Sequence, residues 1–347
     1  MYKFDNDYSR GAHPAILQAL IDTNDNEYIG YGLDEWCELA AQDIHKLIDC
    51  PEAHVHFLVG GTQMNFVAME SMLHAFQSVI AADSGHIAVH ESGAIENTGH
   101  KVHVIPSKDG KITAAQVYEN ASYYIKNELK EHMTQPRAVY LSYPTEFGTL
   151  YTKQELEDIK KVCDEFGLFL YIDGARMGYG LGSKDCDLTL ADITRIADAY
   201  YIGGTKCGAL MGEAFVTTHP MIQDHFRNYM KMNGALLAKG WLLGLQFHVL
   251  FKDGVDSLYF SINRRAVEYA ERIKKALDAI AEPYIVSQSN QLFYIMKRAD
   301  VEALMKETFF EIDHWIDDDT ALVRFCTSWA TTEEGVDALI VAINRLR

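Results

Sequence analysis

At 347 residues, with 48% hydrophobic and 23% charged residues, the chain has ordinary globular composition and more length than one core usually needs, which excludes disorder and favours two domains. A formal charge of −18 repels polyphosphate backbones, and no basic stripe offsets it, so nucleic acid is excluded as a partner and any anionic ligand needs a locally positive site. The start MYKFDNDYSRG has no basic, apolar leader and no run of eighteen apolar residues occurs, so no membrane partner and a cytoplasmic location are expected. The six cysteines lack C-x-x-C pairing and read as reduced thiols.

In chain order, strands are predicted at His54–Val59, His86–Val89, Lys101–Ile105, Arg137–Ser142, Leu168–Ile172 and Ala199–Ile202, from short β-branched and aromatic runs. Amphipathic helices are predicted between them, among them Asn65–Ser78 and Glu155–Glu165. Capping boxes open helices at Thr113–Gln116 and Thr152–Glu155. Strands alternating with helices imply an α/β fold, a mostly parallel sheet with helices on both faces.

After Lys252 the pattern changes. A long helix is predicted at Ser261–Ile280, strands at Gln291–Met296 and Ala321–Cys326, and a last helix after a capping box at Thr331–Glu334. This divides the chain into a large α/β domain with an N-terminal arm, residues 1–252, and a smaller C-terminal α+β domain, residues 253–347.

Ligands of an open parallel sheet bind beyond the carboxyl ends of its strands, and three predicted ends carry unusual residues. Gly60-Gly61-Thr62 lets backbone approach a ligand and presents Thr62 as the N-cap of a helix, an anion site suited to phosphate. Asp173 ends an apolar strand, where a lone carboxylate requires a cation. That cation is either nearby Arg176 or a protonated ring nitrogen, unless the carboxylate caps the next segment. Lys206 follows Gly203-Gly204-Thr205, and a lysine beside a low-dielectric sheet loses its proton readily and can form a Schiff base. The alternative is a lysine that snorkels to water. Gly203, Gly204 and Gly208 are expected to clear side chains from its reach. An anion pocket, a carboxylate and an aldehyde-capturing amine together meet the needs of pyridoxal 5'-phosphate.

The stretches DGAR and GGTKCGALMGE, with GGT ahead of them, resemble the low-specificity threonine aldolases of the β-eliminating lyase group. FDNDYSRGAHPAI, YGLDEW, HIAVHESGAIENTGHKV and VRFCTSWATTEEGVD extend the similarity over nearly the whole chain. The resemblance implies the fold of aspartate aminotransferase, fold type I, with a seven-stranded sheet. It also implies cleavage of L-threonine, L-allo-threonine or a related β-hydroxy-α-amino acid to glycine and an aldehyde.

Carried over position by position, Lys206 matches the lysine joined to the cofactor and Asp173 the partner of the ring nitrogen. Arg176 matches the arginine near the 3'-oxygen. Gly61 and Thr62 match the phosphate turn, and Thr205 precedes the lysine. His86 matches a histidine over the ring that aids proton transfer, although without the resemblance a satisfied core histidine is the favoured reading. Arg324 matches the arginine that grips the substrate carboxylate, with Asn6 where the family often has serine. No carboxylate or cysteine completes a set around His54/His56 or His100/His103, so no metal is expected.

One helix terminus offers about half a positive charge against roughly two negative ones on a phosphate. A homodimer or homotetramer with shared active sites is therefore expected, as in the family, with Lys231, Lys239 and Tyr31 reaching the neighbouring site. Two departures stand out. Where many relatives carry a histidine in an E-N-T-H-N stretch, this loop reads SYPTEFGTLY, which puts Thr145 or Glu146 in its place. The usual V-T-H of the last strand is Cys326-Thr327-Ser328. The rival readings are another fold-type-I enzyme, a β-eliminating lyase or an aminotransferase, and a non-catalytic scaffold that retains the fold.

Overall fold

The computed structural model describes residues 1–347. A two-residue strand β1 (Tyr2–Lys3) precedes the central sheet, which is built from β2 (His54–Leu58), β3 (Gln77–Ala82), β4 (Lys101–Ile105), β5 (Gln135–Ser142), β6 (Phe169–Asp173), β7 (Ala199–Gly203) and β8 (Glu213–Thr217). Their order is β2-β8-β7-β6-β5-β3-β4. Only β8 runs against its neighbours, so the sheet is seven-stranded and mostly parallel, as expected.

Alternate strand residues serve opposite layers. Val139, Leu141, Leu170, Ile172, Tyr200 and Ile202 pack with Ile159, Cys163 and Ile193 of helices on one face. Tyr140, Phe169, Tyr171 and Tyr201 pack with Met64, Val67 and Met69 of the helix Gly61–Met72 on the other. That parity decides where Asp173 points: two residues beyond Tyr171, it joins the Tyr140 and Tyr201 face, beside Asn65.

The last third of the chain forms an antiparallel sheet from β9 (Glu282–Ile285), β10 (Gln291–Lys297), β12 (Glu311–Trp315) and β13 (Thr320–Cys326), in the order β12-β13-β10-β9. Between β10 and β12, β11 (Thr308–Phe309) pairs in parallel with β1. Helices Leu258–Leu277 and Glu333–Asn344 supply its core through Ile273, Leu277, Val336 and Leu339. Phe4 is buried in the same core, so the N-terminal arm packs against the C-terminal sheet.

Some local expectations are overturned. His86–Val89 is a helical turn, and the strand of that region is Gln77–Ala82, fully buried, which sequence had assigned partly to the tail of Asn65–Ser78. Periodicity cannot separate short apolar runs; here Leu73 turns extended and the helix stops at Met72. Thr62 is not an N-cap. Helix Gly61–Met72 begins two residues earlier, capped by extended Gly60 with no side-chain bond, because the chain can turn as soon as it clears β2. In the last helix Thr332, not Thr331, caps by accepting from the Gly335 amide, while Thr331 accepts from Ser328. β8 lay outside the predicted runs because Gly212 and Glu213 break its apolar signal.

Candidate active site

Because β6 and β7 are parallel neighbours and β8 returns antiparallel, one edge of the sheet gathers Ser142, Asp173, Gly203 and Glu213. A cavity of about 200 Å³ opens there, lined by the Gly60–Thr62 turn, His86, Glu146, Asp173, Arg176, Thr205 and Lys206.

Asp173 is buried, and both of its oxygens accept hydrogen bonds from the protein. Oδ1 accepts from Tyr201 Oη at 2.5 Å and the Ala175 amide at 3.0 Å; Oδ2 accepts from Tyr140 Oη at 2.5 Å and Asn65 Nδ2 at 2.9 Å. Burial pushes the carboxyl up, but the nearby His86 charge and these donors outweigh it and hold it below the ordinary value. The group stays ionised and can meet a cation.

Lys206 follows β7. Burial, helped by the Arg176 charge, lowers its pKa against the pull of Asp7 and Asp173, a shift toward the neutral, nucleophilic amine. The glycines before it serve the backbone rather than clearing space for the lysine. A Cβ at Gly203 would lie 2.3 Å from the Ala175 carbonyl oxygen, and one at Gly204 2.6 Å from that of Gly212. Glu213 Oε2 accepts from the Gly204 amide at 2.9 Å, and burial pushes its carboxyl up.

His86 bonds Glu91 Oε1 through Nδ1 at 2.8 Å. Burial pulls the imidazole down, but that carboxylate and Asp173 raise it above the ordinary histidine value. Glu91 Oε1 also accepts from Asn65 Nδ2 at 2.7 Å, which joins His86 to Asp173 through one amide.

Arg176 does not pair with Asp173. Its Nε and Nη2 meet Asp7 Oδ2 and Oδ1 at 2.6 and 3.0 Å. Ala175 takes the near oxygen of Asp173, and the folded arm offers Arg176 a second carboxylate. Arg324 lies on β13, donating to Gln291 Oε1 at 3.3 Å and the Asp5 carbonyl at 3.1 Å and pairing with Glu311; its Nε is buried without a partner. Asn6 bonds Asp5 at 2.8 Å in a separate hollow of the N-terminal arm.

Lys231, Lys239 and Tyr31 do not line the cavity of this chain. Lys231 Nζ stands 4.6 Å from the Tyr31 ring centroid, and Lys239 belongs to the loop before helix Trp241–Phe251.

Asp7, Asn65, Glu91, Tyr140 and Tyr201 escaped sequence reasoning. Glu91 stands inside the HESGA stretch, and strand parity would have found both tyrosines. Asp7 and Asn65 carry no local signal.

The cavity suits a planar, phosphorylated, cationic heterocycle. An uncapped helix N-terminus in the cavity wall offers free amides to an anion, and a Cβ at Gly60 would meet no atom within 4 Å, leaving open space at that wall. A buried ionised carboxylate and an amine occupy adjacent strand ends. Fold and site together define a fold-type-I pyridoxal 5'-phosphate enzyme.

The chain belongs to the beta-eliminating lyase family, whose sequence model matches residues 10–298. It is 29% identical over 345 residues to a low specificity L-threonine aldolase of a Pseudomonas strain, covering 98% of this chain and 96% of that one. The corresponding Pseudomonas aeruginosa protein is 27% identical, covering 97% and 95%. Among solved structures, Leishmania major threonine aldolase superposes with a TM-score of 0.96 at 43% identity, over 100% of this chain and 99% of that one. Aspartate aminotransferase of Thermus thermophilus, at 12% identity and TM-score 0.71 over 100% and 92%, shares the fold alone.

Proposed function

We propose that this chain is a pyridoxal 5'-phosphate-dependent carbon–carbon lyase that cleaves L-threonine, L-allo-threonine or a related β-hydroxy-α-amino acid to glycine and an aldehyde. The observation that carries the reading is the pairing of Lys206 and Asp173 at adjacent strand ends, in a chain that superposes along its whole length on a threonine aldolase.

When bound, the cofactor supplies an electron sink for the pair released from the Cα–Cβ bond. The side chains of this chain do the rest. Lys206 would hold the cofactor through its aldehyde carbon, and Asp173 would keep the ring nitrogen protonated. The N-terminus of helix Gly61–Met72, with the Thr62 and Thr205 hydroxyls, would bind the phosphate, and Arg176, fixed by Asp7, would serve the 3'-oxygen. Arg324 exchanges Glu311 for the substrate carboxylate, with Asn6 beside it. His86, directly or through a water it orients, takes the β-hydroxyl proton, and Glu91 stabilises the resulting imidazolium.

The charge deficit at the phosphate supports a homodimer or homotetramer, with Lys231, Lys239 and Tyr31 acting in the neighbouring copy's site. No helix is long and apolar enough to cross a membrane, which supports a cytoplasmic location. Division into residues 1–252 and 253–347 fits the two sheets, with the N-terminal arm bridging them.

Borohydride treatment of the cofactor-loaded protein, followed by peptide mass analysis, is expected to fix the cofactor on Lys206. Incubation with L-threonine is expected to release glycine and acetaldehyde. Keto acid and ammonia in their place would overturn the aldolase reading.

A further inference from the structure

The loop after β5 carries two residues that could face a substrate, and the structure separates them. Thr145 is buried with its Oγ1 2.7 Å from Thr149 Oγ1, and Thr149 Oγ1 donates to the Asp109 carbonyl at 2.8 Å. Its hydroxyl is spent inside the loop. Glu146 instead lines the cavity. Its Oε1 accepts from the His86 amide at 2.8 Å and from Ser142 Oγ at 2.5 Å, and no other residue bonds Oε2.

The backbone of Glu146 is fixed as well. Gln291 Nε2 donates to its carbonyl at 3.2 Å, and the same Gln291 accepts from Arg324 at 3.3 Å. One hydrogen-bonded chain thus runs from Arg324 through Gln291 and Glu146 to His86. Glu146 is thus tied directly to His86, beside the reacting carbon, and through Gln291 to Arg324, the residue for the substrate carboxylate. Burial pushes its carboxyl up, with Asp173 adding to the effect and Ser142, the Glu146 amide and the His86 amide opposing it. Oε2, which makes no bond within the protein, is free to meet a hydroxyl.

We infer that Glu146 is a specificity-determining residue whose Oε2 hydrogen-bonds the β-hydroxyl of the amino-acid substrate and sets the preference between the two β-epimers. This rests on the aldolase reading of the site. A hydrogen bond to an ionisable partner is worth roughly 10- to 100-fold in affinity, and a site built around it discriminates against ligands that lack the hydroxyl.

The test is equilibrium binding of L-serine and L-alanine to the cofactor-loaded protein by calorimetry, since the two differ only in the β-hydroxyl. In the wild type, serine is expected to bind more tightly than alanine. In Glu146→Ala that advantage should fall about tenfold or more, with the alanine constant within about threefold of wild type. Glu146→Gln keeps an oxygen for the His86 amide and carries the test alone should the alanine variant not fold; here the serine advantage should fall about threefold or more. The ratio of kcat/KM for L-threonine to that for L-allo-threonine should shift in either folded variant. An unchanged serine-to-alanine ratio and an unchanged epimer ratio would overturn the inference while leaving the aldolase reading intact. If the wild type binds cofactor but releases no glycine from either epimer, it is the aldolase reading that fails.

Discussion

Asp7 grips Arg176 across 169 residues of sequence, with both guanidinium contacts at 3.0 Å or less. The pair ties the N-terminal arm to the edge of the central sheet. It also fixes an arginine at the mouth of the cavity. Asn290 donates to Asp7 as well, at 3.0 Å, so the C-terminal sheet shares the same anchor.

Removing one partner of a buried pair leaves the other charge uncompensated, which costs about 3–5 kcal/mol. Asp7→Asn is therefore expected to lose stability of that order in chemical denaturation. Burial raises the Asp7 carboxyl, but the charges of Arg176 and Lys206 and the bonds from Arg176 and Asn290 outweigh it, so its folded pKa lies below the unfolded one. Its contribution is full above the unfolded value and is lost as pH falls through the folded one. Stability of Asp7→Asn should accordingly fall less steeply than wild type on acidification.

The Glu91 carboxylate holds the His86 pKa up. A base acts only when unprotonated, so activity should rise with pH through the His86 titration, which lies above the ordinary histidine value. Glu91→Gln removes the charge and is expected to move that limb of the kcat/KM profile to lower pH. His86→Asn should cost about 10²–10⁴-fold and abolish the limb. A limb unmoved in Glu91→Gln would show that another group controls it.

A methyl group at Gly61 would sit 2.9 Å from Tyr201 Oη, the same hydroxyl that bonds Asp173. Overpacking of this kind costs about 1–3 kcal/mol. Gly61→Ala is expected to weaken cofactor binding, measured by equilibrium dialysis. Tyr201→Phe in the same chain removes the clashing oxygen, so the double variant should bind no worse than Tyr201→Phe alone.

Arg324 offers a planar fork that a lysine cannot copy. Arg324→Lys should raise KM for L-threonine by about 10- to 100-fold with a smaller change in kcat. Glu311 competes for the same guanidinium. Glu311→Gln is expected to lower KM, and steady-state kinetics on both variants decides the point.

Lys206, Asp173 and the Gly61–Thr62 turn were legible because each sits where a strand ends, and strand ends have a local signature of apolar run followed by glycine or charge. His86 was found despite a wrong element around it: its chemistry is local, whereas its secondary structure depended on a strand, Gln77–Ala82, hidden behind a helical pattern. Tyr140 and Tyr201 were within reach, since period-two alternation places them on the face of Asp173. Choosing Glu146 over Thr145 was not, because the Thr145 hydroxyl is withdrawn by Thr149 and Asp109, partners that the loop sequence does not identify.

The sequence by itself determined the α/β class, the strand ends that carry the lysine and the carboxylate, and the demand for an anion-binding turn, all set by short-range sterics and hydrophobic periodicity. Only the tertiary structure decided which charges face each other: Arg176 on Asp7, His86 on Glu91, Asn65 between Glu91 and Asp173. Those pairings join residues from 5 to 169 positions apart. Their free energies depend on distance and burial, which exist only once the layers have packed.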